Sequence, residues 1–114
     1  MKVRILTSAF NDLADGRDFY EEQGEGLGDY FFDSVFSDID SLSLYGGIHR
    51  KVMGYHRLLA RRFPFAVYYK MNADGQAIVF RVLDCRQDRT KTIGHLGTAN
   101  DIDLTTLVLQ RIGQ

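Results

Sequence analysis

The stretch from His56 to Arg89, HRLLARRFPFAVYYKMNADGQAIVFRVLDCRQDR, leaves the rest of the chain few ways to fold. It reads as three β-rich runs: Arg57–Phe63, Phe65–Met71 and Gln76–Cys85. Pro64, the only proline, has no N–H to give a ladder and so belongs at the junction of two strands. Asn72-Ala73-Asp74-Gly75 is a hairpin signal, because Asp and Gly tolerate positive φ. Strands joined this closely predict a meander. Val3-Arg4-Ile5-Leu6 adds a first strand and Arg50–Met53 a short edge segment.

A sheet of this size needs a layer on one face. Thr7 and Ser8 offer an N-cap, after which Phe10, Leu13, Ala14 and Tyr20 recur at helical spacing up to Gly24. Gly16 costs that helix about 1 kcal/mol relative to Ala, so tertiary packing must hold it. Gly24–Gly28 is a glycine-rich turn into a second helix. Its stripe of Leu27, Phe31, Val35, Ile39 and Leu42, widened by Phe32 and Phe36, reads as core packed on the sheet. Gly46-Gly47 ends it. A last amphipathic helix is predicted within residues 97–114, with Leu104, Leu107, Val108 and Arg111 on one face. The expected class is α+β: a small antiparallel sheet, a helix pair on one face, and a C-terminal helix. Residues 1–96 form the main unit and 97–114 an extension of the same domain.

At 114 residues the chain is expected to form one domain, long enough to bury a core without metal or disulfide. Cys85 is the only cysteine, which excludes an internal disulfide and a cysteine-based metal cluster. His49, His56 and His95 lack metal-ligand spacing, and no phosphate loop, nucleophile elbow or paired-carboxylate motif is present. The expectation is no metal and no cofactor. No apolar run is long enough to cross a membrane and none near Met1 suits a signal peptide, so a cytoplasmic location is expected.

The net charge of −1 hides an asymmetry. Residues 1–48 hold three bases and ten acids, whereas residues 49–91 hold ten bases and three acids. This predicts a basic working sheet on an acidic helical body, suited to an anionic or acidic partner.

The order β-α-α-β-β-β, with FYEEQ (19–23), GLGDYF (26–31), RRFPFAVYY (61–69) and VLDCRQD (82–88), resembles the RelE/ParE toxin superfamily over roughly residues 2–90. The ending FYEEQ followed by GLG is typical of its ParE-like, plasmid-stabilisation side. The resemblance implies a toxin of a type II toxin–antitoxin pair, neutralised by a cognate antitoxin that wraps around it and covers its working surface. Two activities occur on this fold. ParE-like members inhibit DNA gyrase, which is the activity expected here. RelE-like members cleave mRNA on the ribosome without a metal. A non-toxic, antitoxin-binding or oligomeric relative is a third possibility, and a homodimer is compatible with any of them.

Cleavage of RNA through its own 2′-OH requires a base, cations for the charge growing on phosphorus, and an acid for the leaving oxygen. By resemblance to the nucleases, Arg61, Arg81 and Arg86 would stabilise charge, and Tyr69 or Lys70 would move the proton, with His56 a weaker option. Two departures favour target binding over nuclease chemistry. Asp84 stands where many relatives carry a histidine, and no histidine or tyrosine follows Arg86 before His95. For target binding the candidates are Arg62, Lys70, Arg86 and Arg89. One of Arg61 and Arg62 is expected to turn toward the helices, where Asp38 is a partner. Cys85 is expected to be a small buried hydrophobe.

Overall fold

A computed structural model of the protein describes Lys2–Arg86. The expected helix in 97–114, the candidate Arg89 and part of the expected 1–96 unit lie outside the described residues.

The sheet has five strands: β1 (Val3–Ile5), β2 (Lys51–Val52), β3 (Tyr55–Leu59), β4 (Phe65–Met71) and β5 (Ala77–Asp84), in the order β1-β5-β4-β3-β2. The meander β2-β3-β4-β5 is antiparallel throughout. β1 joins β5 in parallel, with Val3, Arg4 and Ile5 opposite Ala77, Ile78 and Val79, so the sheet is mixed rather than wholly antiparallel. Two helices fill the connection: α1 (Thr7–Gln23) and α2 (Leu27–Asp40), followed by the single turn α3 (Leu42–Tyr45).

Two local expectations change. Thr7 and Ser8 do not cap α1: Leu6 stands at the N-cap, and the Ser8 hydroxyl instead donates to the Phe80 carbonyl of β5. β3 stops at Leu59 rather than running to Phe63. Ala60 is held by its N–H to Phe65 O, and Arg61–Pro64 turns the chain back toward β4. The hairpin holds as expected. Asn72 Oδ1 accepts from the N–H groups of Asp74 (3.0 Å) and Gln76 (2.8 Å), and Gly75 takes φ +76°.

The helices cover one face of the sheet. Ile5, Leu13, Phe31, Val35, Ile39, Val67, Tyr69, Val79 and Val82 are buried between the layers. Phe31 is the pivot, with ring centroids 4.9 Å from Tyr20, 5.1 Å from Phe63 and 4.8 Å from Phe65. Two glycines explain why the helices approach so closely. A Cβ on Gly16 would stand 2.5 Å from the Phe31 ring, and one on Gly28 would stand 2.5 Å from the Arg17 carbonyl oxygen. The packing that must hold Gly16 in its helix is therefore the α2 aromatic itself. Glu21 completes the crossing: its carboxylate accepts from the N–H groups of Gly26 (3.1 Å) and Gly28 (2.9 Å) at the start of α2, where negative charge is favoured.

Gly28→Ala should be costly, because its clash is with helix backbone rather than with a side chain that can swing away. The expected loss is about 1–3 kcal/mol of unfolding free energy, the usual size for overpacking. A urea titration measures it, and an unchanged midpoint would mean that the two helices separate freely.

Candidate functional site

Strand alternation gives the sheet a second face, away from the helices. Cross-strand register places Arg57 opposite Tyr68 and Leu59 opposite Ala66. Tyr55, Ala66, Tyr68 and Leu83 form a smaller buried cluster here, with Val52, Phe80 and Cys85 against it. Lys70 follows Tyr68 by two residues and so shares its face. Its Nζ lies 4.5 Å from the Tyr55 ring centroid and 5.8 Å from that of Phe80. Those rings hold the ammonium in place while leaving its charge uncancelled.

Arg57 sits deeper. One guanidinium nitrogen reaches Cys85 Sγ at 3.8 Å, and its Nε is buried with no hydrogen-bond partner. The Tyr68 hydroxyl beside it is also buried and unpartnered, on a side chain that is 0 % exposed. Neither Arg57 nor Lys70 pairs with a carboxylate among the described residues. Among the described residues this face thus carries Lys70 and the deeper Arg57 beside the rings of Tyr55 and Phe80. Unsatisfied buried donors are rare in folded proteins and mark a place where an acceptor is missing.

The other predicted residues lie elsewhere. Arg61 and Arg62 are exposed in the turn between β3 and β4, off the strand whose alternation was expected to orient them. Asp38 does reach Arg61, but by accepting its backbone N–H at 3.0 Å rather than through the guanidinium. Arg81 points toward the helices, where Asp12 of α1 accepts from its Nε (2.7 Å) and Nη2 (2.9 Å). Asp12 also accepts from the Val82 N–H at 2.9 Å. Burial raises the Asp12 carboxyl above its ordinary pKa, although Arg81 and the Val82 N–H pull the other way.

Arg86, at the end of β5, closes on Asp84 through Nε (2.9 Å) and Nη2 (2.6 Å). The Arg86 hydrogen bond holds Asp84 below its ordinary pKa. Tyr69 faces the helices, with its hydroxyl engaged by Gly47 and His49, and His56 stacks on its ring. Cys85 is half-buried beside Arg57 rather than sealed in the core. Of the predicted residues that the structure describes, only Lys70 lies on the cationic face. Arg57 and Tyr68 were not singled out, though alternation from Lys70 reaches Tyr68 directly.

A groove of about 380 Å³ lies between α1 and the end of β5. Asp12, Asp15 and Asp84 line it, and its arginine, Arg81, is already engaged by Asp12. Its charge suits no anion. Among the described residues no three His, Cys, Asp or Glu side chains gather to hold a metal ion, and no helix is long and apolar enough to cross a membrane.

With this geometry in hand, the chain can be set beside known proteins. No family model matches it, and no curated protein matches it. Among solved structures it is similar to a chain described as "Chromosomal ParDE TA system from P. aeruginosa". The TM-score is 0.64 at 20% identity, over 72% of this chain and 92% of that one. The fold is RelE/ParE-like: α+β, with two helices on a five-stranded mixed sheet.

Proposed function

We propose that this chain is the toxin of a type II toxin–antitoxin pair and that it acts in the cytoplasm by pressing its cationic sheet face onto a macromolecular target. The fold of a ParDE-system chain supports the class. The observation that carries the mode of action is the make-up of the face itself. Arg57, Lys70 and Tyr68 supply charge and hydrogen-bond donors, while no imidazole or carboxylate shares their face among the described residues. RNA cleavage needs a base within reach of the 2′-OH, a role left here to Lys70, because Tyr69 faces the helices and no imidazole or carboxylate stands beside Lys70 among the described residues. Binding to a target needs only complementary charge and shape. The reading is target inhibition, and the resemblance of the sequence to the ParE-like side makes DNA gyrase the proposed target. The antitoxin would supply an acidic segment to the same face, because that segment complements the charge of Lys70 and Arg57.

Induced expression in a host strain tests this, with primer extension on a reporter mRNA in the same cultures and a gyrase supercoiling assay on the purified chain. The expected result is growth arrest and loss of supercoiling without new cleavage sites. Codon-aligned mRNA cleavage would replace the proposal with the nuclease reading. A folded chain that causes no arrest would replace it with a non-toxic, antitoxin-binding relative.

A further inference from the structure

Between α3 and β2 the chain passes through residues 46–50 without regular structure. Three side chains from neighbouring strands and the segment itself hold it to the sheet. The Tyr69 hydroxyl accepts the Gly47 N–H at 3.0 Å, and the same hydroxyl meets His49 Nδ1. His56 Nδ1 lies 2.6 Å from the His49 carbonyl oxygen. The His56 ring stacks on Tyr69 at 5.0 Å between centroids, and the His49 ring meets Tyr69 edge-on at 5.5 Å. Ile48 (73 % exposed) projects from this stretch into solvent, next to Leu44 (77 %) and Tyr45 (55 %) at the end of α3.

Hydrogen-bond accounting assigns the protons. A carbonyl can only accept, so His56 Nδ1 carries a hydrogen. Tyr69 is fully buried, and its oxygen already accepts from Gly47. Among the described residues the acceptor for its own O–H is His49 Nδ1, so His49 is the neutral tautomer with its hydrogen on Nε2. A second proton on His49 must go to Nδ1. That turns the acceptor into a donor and strands the buried phenol O–H.

The groups around the imidazoles make this worse. Tyr69 faces them from β4, and the two histidines face each other. Lys51 on β2 stands opposite His56 in register, and Arg50 adjoins His49 in the chain. No carboxylate of the described residues pairs with either imidazole.

We propose that His49, Tyr69 and His56 form a pH-sensitive latch that fastens residues 46–50 to the sheet while His49 is neutral and releases them when His49 is protonated. Burial, and then the charge of His56, lower the His49 pKa below 6.5, as a closed latch requires. The sign follows. A group with a depressed basic pKa in the closed form stabilises that form above 6.5, and the stabilisation is lost as pH falls from 6.5 through the closed-state value. The latch is independent of the cationic face and of the toxin reading.

NMR on the full chain labelled with 15N tests it. At pH 8 His49 should show the tautomer protonated on Nε2. The protection of the Gly47 amide, corrected for intrinsic exchange, should fall severalfold between pH 7.5 and pH 5. His49→Gln, which cannot titrate, should show no such pH dependence. Tyr69→Phe, if folded, should leave Gly47 poorly protected at both pH values. His49 protonated on Nδ1 at pH 8, equal wild-type protection at both pH values, or a pH dependence retained in His49→Gln would each overturn the latch.

Discussion

Asp12→Ala should lower the unfolding free energy by about 3 kcal/mol, within the range for removing one partner of a buried ion pair. The side chains of Arg81 and Asp12 are only 22 % and 14 % exposed, so water replaces the lost contact poorly. The carboxylate also takes the N–H of Val82, a residue 2 % exposed, and an orphaned buried donor adds its own cost. Asp12→Asn should cost less than Asp12→Ala. Asn keeps an acceptor oxygen, and burial already pulls the native carboxyl toward its neutral form. Urea midpoints for the two variants decide the matter. Equal midpoints for Asp12→Ala and wild type would mean that the α1–β5 connection contributes nothing to stability.

The second large effect belongs to the cationic face. Lys70→Glu keeps a long side chain at an exposed position but reverses its charge between the Tyr55 and Phe80 rings. Arg57→Gln keeps polarity and removes the deeper charge. Each should weaken target or antitoxin binding by roughly 10- to 100-fold, the scale on which complementary charges act at interfaces. Arg62→Glu lies in the β3–β4 turn, off this face, and should change binding much less. Arg81→Ala, in contrast, should reduce activity only by way of stability, because Asp12 holds that guanidinium on the helix side.

What the sequence made legible follows from how local each signal is. The stripe Phe31, Val35, Ile39 has helical period, and those residues are buried as the period requires. The Asn72–Gly75 hairpin is decided by four residues. The parallel pairing of β1 with β5 links positions more than seventy residues apart, and three residues of β-rich sequence carry no label for their partner. The bulge in β5 was equally silent. Tyr68 pairs with Arg81 and Tyr69 with Val79, so one residue is extra and alternation shifts. That shift lets Val79 and Val82, three apart, share the helix face and turns Arg81 toward Asp12.

Pro64 correctly separated two strands, but the turn before it took up Arg61 and Arg62 as well, removing them from the face. Arg57 escaped notice because it lies outside the motifs, and Tyr68 because nothing within RRFPFAVYY sets it apart from Tyr69. Only the cross-strand register brings them together, and only their missing partners mark them.

The most direct test of the central claim is growth arrest on induced expression of wild type, Lys70→Glu and Arg62→Glu, with circular dichroism on each purified chain to show that it is folded. Wild type and Arg62→Glu should arrest growth, and cells expressing Lys70→Glu should grow normally. Arrest retained by a folded Lys70→Glu and lost in Arg62→Glu would contradict the claim and move the working surface from the sheet face to the β3–β4 turn.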